Sequence, residues 1–240
     1  MPEIFRKDLI MADTTTDDIT PAGSDNASYN ATETSYHQHD YVWRWVGSAT
    51  GGDWTDPSNW VLTDAGNPVD TSSDAFSGYP IPQSEQNADV NVGYSGNETP
   101  NVVVSNAVLY NQIRSLSIWQ NSTLKITAQG GNGNVFATAG FENYGTLIID
   151  TPSKVELGGV TAGNGTLTIL NNDGNVILDD GQLNNGTLNL VNSTLGTLAT
   201  PISVSGGTIN LQQNSTLIAN LYGEGSTINV DPASTNTLYV

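Results

Sequence analysis

Chemistry in this 240-residue chain has few places to sit. His37 and His39 stand at i and i+2, with Asp40 beside them. On an extended strand the two imidazoles would share a face, and together with Asp40 they could chelate a divalent metal. No further ligand is legible near them, so the plain alternative is a pair of surface histidines. Gly130-Gly131-Asn132-Gly133-Asn134-Val135 echoes the glycine-rich turn of calcium-binding β-rolls, but it stands alone and carries no aspartate. Asp179-Asp180-Gly181 reads as a second turn, whose paired carboxylates could hold calcium. A glycoside hydrolase needs two carboxylates held ~5–10 Å apart across a groove. Asp150, Glu156, Asp173, Asp179 and Asp180 supply the groups, but their spacing pairs none of them. A polysaccharide lyase needs a basic group to take the sugar proton, and no Lys or Arg follows Lys154. The expectation is a non-enzymatic chain without a cofactor. Trp43, Trp45, Trp54 and Trp60 offer the last option: an exposed indole face stacks on a sugar ring, whereas a buried one fills a core.

Charge narrows the partners. The formal net charge is −18, and the basic residues are Arg6, Lys7, Arg44, Arg114, Lys125 and Lys154 alone. No basic patch can neutralise phosphates, so nucleic acid is excluded as a partner. Sixteen of the 24 acidic residues precede residue 112, which leaves the C-terminal half close to neutral. Its polarity is carried by Asn, Thr, Ser and Gln. The absence of cysteine removes disulfide and thiolate chemistry. No apolar stretch reaches the ~20 residues of a membrane span. The N-terminal MPEIFRKDLIMADTTTDD is too polar to serve as a secretory signal peptide.

The elements that would position these groups repeat. NYGTLIID (143–150), GNGTLTIL (163–170), NNGTLNLV (184–191), SGGTINLQ (205–212) and GEGSTINV (223–230) place Thr146, Thr166, Thr187, Thr208 and Thr227 at intervals of 20, 21, 21 and 19 residues. A period that short marks a solenoid in which each repeat is one coil. Within a copy, Leu167 and Ile169 alternate with Thr166 and Thr168, which is strand periodicity. A second phased strand follows each turn at Val155, Val176, Leu195, Leu217 and Leu238, which predicts a second apolar column. Asn143, Asn164 and Asn185 recur before the threonine and are expected to stack as an amide ladder. The fold class is therefore all-β: a single-stranded parallel β-helix, right-handed, with about 20 residues per coil and an N-terminal aromatic β cap.

Three zones follow from texture. Residues 1–40 are a polar leader expected to be disordered. Residues 41–114 hold the aromatics and the runs YVWRWVG (41–47), ADVNVG (88–93) and NVVVSNAVLY (101–110), and are expected to cap the open end of the stack. Residues 115–240 are the helix repeats, starting loosely at Ser115 and interrupted by an insertion over 127–142. The chain ends inside a coil at Thr237-Leu238-Tyr239-Val240. This predicts either a truncated chain or a last coil that meets another domain or chain.

The run from Trp43 to Trp60, with Gly47, Gly51, Gly52, Asp53, Trp54 and Asn59, resembles the W-x-G…G-x-W…NW opening of bacterial secreted β-solenoid proteins. These include autotransporter-type passengers and adhesin-type β-helices that precede a Hint self-processing domain. Asp89-Val-Asn-Val and the GTL/I repeats share that likeness, which covers about residues 41–240. The resemblance implies an extracellular or cell-surface β-helix with adhesive, biofilm or surface-layer roles. The partners implied are a host or matrix glycan, or a surface protein. The expected function is thus a structural or adhesive rod, the N-terminal part of a larger protein. The alternatives are a carbohydrate-active β-helix enzyme and a filament subunit that self-associates through its last coil.

Overall fold

Residues 41–64, 66–70, 81–82, 89–93, 99–106, 112–130, 134–158, 160–178, 182–222 and 225–240 are described by a computed structural model of the chain. Strict apolar/polar alternation shapes almost every element. In Thr146–Asp150, Thr166–Leu170 and Thr187–Val191 the second and fourth residues are buried, and the other three turn outward. Side chains that alternate at period two can serve one core only if each strand lies edge to edge with the next. Asn121, Asn171, Asn185, Asn192 and Asn214 make this possible, because each sits at positive φ, between 48° and 65°, where the backbone bends sharply. Asparagine tolerates that left-handed conformation better than most residues with a side chain.

The result is a β-solenoid of about six turns, with no α-helix among the described residues. Each turn carries three strands, one more than the phasing predicts. The second face holds the GTL strands. Its order is Gly52–Asp53, Asn101–Val104, Thr123–Ile126, Thr146–Asp150, Thr166–Leu170, Thr187–Val191, Thr208–Gln212 and Thr227–Val230, all parallel. The first face precedes it in each turn. It runs from Tyr41–Trp45 and Asp89–Val92 through Ser115–Ile118, Phe141–Asn143, Val160–Ala162 and Gln182–Asn184 to Ile202–Ser205 and the end of Thr216–Tyr222. Parallel winding therefore already includes Asp89–Val92 and Asn101–Val104, ahead of Ser115. The stretch 127–142 is no insertion: Asn134–Thr138 and Phe141–Asn143 are ordinary strands of the third and first faces.

The third face corrects the second apolar column. Val155 pairs with Val176, and Leu195 pairs with Leu217, which pairs with Leu238. Val176 does not join Leu195, because the bridge between those turns is Asp173 to Thr194. The extra residues Asp173-Gly174-Asn175, with Gly174 at φ 77°, displace Val176–Leu178 along the coil and split the face in two.

Inward residues stack without a break. Leu124, Leu147, Leu167, Leu188 and Ile209 are paired turn to turn and lie at most 2% exposed. Ile126, Ile149, Ile169, Leu190 and Leu211 form a parallel column. Each such side chain contributes about 1.5–3 kcal/mol by burial. A polar line occupies the corner between the second and third faces. Asn172 is fully buried and donates from Nδ2 to the carbonyls of Thr151 (2.6 Å) and Ser153 (3.2 Å). Its backbone N–H donates to Ser193 Oγ, the Ser193 N–H to Ser215 Oγ, and the Ser215 N–H to Asn236 Oδ1. Buried backbone donors at each bend are thus satisfied by the next turn.

Trp60–Asp64 pairs antiparallel with Tyr41–Trp45 and covers the N-terminal edge of the first face. An edge paired in this way no longer offers a parallel template to another chain.

Candidate functional site

The four tryptophans of the opening motif gather at this covered end. Trp45 and Trp60 meet edge to face at 5.1 Å between centroids, Trp54 and Trp60 at 4.6 Å, and Trp54 also meets Phe136 at 5.5 Å. Trp43 and Trp54 are 1% exposed, Trp45 and Trp60 6%. The Trp60 indole N–H donates to the Trp54 carbonyl at 2.8 Å. Gly47 and Gly52 lie against Trp45 and Asn59, where a Cβ would stand within 3 Å of either side chain. Rings enclosed in this way present no face to a sugar; they fill the end of the core.

Asp53 anchors the same region. Its carboxylate accepts from the backbone N–H and hydroxyl of Thr55 and from the hydroxyl of Ser105. Partial burial pushes this carboxyl upward, but the three hydrogen bonds outweigh that and hold it below the ordinary range. Asp89, on the first face, accepts from Arg114 Nε at 2.9 Å and Nη2 at 2.6 Å, and from Ser115 Oγ at 2.5 Å. Burial again acts upward, and the Arg114 and Ser115 hydrogen bonds with the guanidinium charge prevail, so Asp89 is held low. Both groups are committed to structural bonds and neither is poised as an acid at neutral pH.

His37, His39 and Asp40 lie outside the described residues, as do Asp179, Asp180 and residues 131–133 of the glycine-rich turn. Among the described residues, no three His, Asp or Glu side chains gather as a metal site would require. Three of the carboxylates considered for hydrolysis are engaged elsewhere. Asp150 pairs with Lys125 at 3.1 Å, Glu156 with Lys154 at 3.2 Å, and Asp173 accepts from Thr194 Oγ1 at 3.2 Å.

The outward side of the second face holds the most regular surface. Thr123, Thr146, Thr166, Thr187, Thr208 and Thr227 follow one another in register. Two residues along each strand runs a second outward column, in which Asn189 Nδ2 donates to Thr168 Oγ1 at 3.0 Å. Asn210 Nδ2 donates to Asn189 Oδ1 at 2.7 Å, and Asn229 Nδ2 to Asn210 Oδ1 at 2.8 Å. Here, and not at Asn143, Asn164 and Asn185, lies the amide ladder. Asn143 turns inward, 3% exposed, and donates to the Thr166 carbonyl. Asn164 and Asn185 are exposed and lie one register position away from it. The signal for the true ladder was present in the T-x-N spacing of Thr187-Leu-Asn189, Thr208-Ile-Asn210 and Thr227-Ile-Asn229.

Compared with known proteins, the chain matches no family model, no curated protein and no solved structure.

Proposed function

We propose that this chain is a non-catalytic display element: a structural or adhesive β-solenoid of an extracellular or cell-surface protein, which holds uncharged polar columns toward a host or matrix surface. The observation that carries this reading is the second face. There, Thr168, Asn189, Asn210 and Asn229 are locked to one another by side-chain hydrogen bonds across successive turns. Bonds of this kind hold the surface groups at fixed ~4.8 Å intervals and remove the rotamer entropy that binding would otherwise cost. The sparse charge from residue 112 onward, eight acidic residues against three basic ones, supports the same reading, since contact with a neutral hydrated surface then carries little repulsion of charge.

The test is attachment. Beads coated with the full chain are expected to adhere to glycan- and protein-rich matrices above the level of albumin-coated beads. Asn210→Lys, which puts a charge in the middle of the ladder, is expected to lower attachment without unfolding the chain. Attachment no greater than albumin, or unaffected by this change, contradicts the reading.

A further inference from the structure

Among the described residues, the exposed aromatic side chains are Trp119, Tyr144, Tyr222 and Tyr239, at 37%, 40%, 55% and 52% exposure. The first three fall on one line. Trp119 and Tyr144 each follow the last residue of a first-face strand, and the backbone N–H of Tyr144 donates to the Ile118 carbonyl in the turn before. Their rings lie 6.5 Å apart and tilted by 39°. The next position on the line is Gly163, where a Cβ would collide with the Tyr144 ring, so that the ring lies over bare backbone. Beyond it come Asn184, then Ser205 paired with Asn184, then Tyr222 paired with Ser205.

This line runs parallel to the solenoid axis along the margin of the first face. Asn184, Ser203, Ser205 and Tyr222 line a shallow concavity of about 380 Å³. Four strand spacings separate Tyr144 from Tyr222, or ~19 Å. The line thus has aromatic faces at both ends with the Asn184 amide and the Ser205 hydroxyl between them. Ser203 stands in the adjoining outward column, whose one charged residue over this span, Glu142, lies beside Tyr144 at the far end from Ser203.

We propose that this line binds a neutral, extended oligosaccharide laid along the axis. The apolar face of a pyranose ring stacks on Trp119 and Tyr144 at one end and on Tyr222 at the other. Asn184, Ser203 and Ser205 hydrogen-bond to the hydroxyl edges between. An acidic polymer is disfavoured by the net charge of −18. A purely apolar partner would leave the amide and hydroxyls without partners. The inference rests on the display reading for its extracellular setting, but it uses a different face and fails separately.

The experiment is native affinity electrophoresis of the full chain through gels containing hydroxyethyl cellulose, galactomannan or xyloglucan, with polygalacturonate as the acidic comparison. At least one neutral polymer is expected to retard the chain. Tyr144→Ala and Tyr222→Ala are each expected to weaken that retardation about tenfold, the value of one aromatic stacking contact. Tyr222→Ala is expected to melt as the parent does, because that ring is exposed, and Tyr144→Ala slightly below it, because that ring rests on Gly163. Asn210→Lys, on the second face, is expected to leave retardation unchanged. The proposal is overturned if no neutral polymer retards the chain, if both tyrosine variants bind as the parent does, or if polygalacturonate binds equally well. Lost bead attachment with intact retardation overturns the display reading and supports the oligosaccharide line. Attachment that survives in a chain no neutral polymer retards overturns only the line.

Discussion

Gly186 lies directly against Gly165 of the preceding turn: a Cβ on Gly186 would stand 2.6 Å from the Gly165 carbonyl oxygen. The same collision recurs at Gly145 with the Ser122 carbonyl and at Gly165 with the Asn143 carbonyl. The glycine of each GT pair is therefore required by the distance between windings. The backbone of one coil occupies the space where the next coil would place a side chain. Gly186→Ala is expected to lower stability by about 1–3 kcal/mol through overpacking. Gly174→Ala is the control. Gly174 sits at φ 77° with nothing within 4 Å of its Cβ position, so only the left-handed conformation opposes the change, at about 1–2 kcal/mol. A broader melting transition is expected for Gly186→Ala alone, since only there must two turns move apart.

Leu188→Ala tests the apolar stripe. Leu188 is 2% exposed and stacks between Leu167 and Ile209. Its truncation is expected to cost about 2–5 kcal/mol in denaturant unfolding. A cost below that range would mean that neighbouring turns collapse into the gap.

Asn172→Ala removes a buried amide that bridges two carbonyls of the turn before and accepts from the Asn175 N–H. The Thr151 and Ser153 carbonyls, on buried residues, would lose this donor, at about 1–3 kcal/mol. Asn229→Ala removes an exposed amide that donates to Asn210 Oδ1 from an extended strand. Its melting temperature is expected to fall less than that of Asn172→Ala.

Asp89 makes stability depend on pH. Its carboxyl is held below the ordinary value, so its contribution is fully present above about pH 3.9 and is lost as pH falls through the lower folded value. Asp89→Asn is expected to destabilise the chain at pH 7 by up to about 1 kcal/mol, as fits a partly exposed pair. In acid, below the folded value, parent and variant are expected to converge. A difference that persists there would assign the effect to packing.

The second face was legible in the sequence because one strand in each of the last five turns carries a GTL, GTI or STI signature, and its register appears directly in the threonine spacings. The first face was not. Phe141–Asn143, Gln182–Asn184 and Ile202–Ser205 are short and share no motif, since a strand followed by a tight bend needs only one or two inward residues. The third face was half legible: Leu195, Leu217 and Leu238 align, but three residues at Asp173-Gly174-Asn175 shift Val176 out of the line. The aromatic line could not be read in advance. Trp119, Tyr144 and Tyr222 are irregularly spaced in the chain, and only the pairing of the first face brings them onto one margin. The opening tryptophans were legible as a group, but whether they faced solvent depended on the antiparallel strand that closes over them.

The central claim is that successive windings lie flat on one another in register. The chain has no cysteine, so labels can be placed at will. Thr123 and Thr227 occupy the same outward column, five strand spacings apart, or ~24 Å. Spin labels on Thr123→Cys and Thr227→Cys, read by pulsed dipolar spectroscopy, are predicted to give one narrow distance distribution centred near that value and broadened only by the label arms. A broad distribution, or one centred far beyond it, would contradict the stacked solenoid.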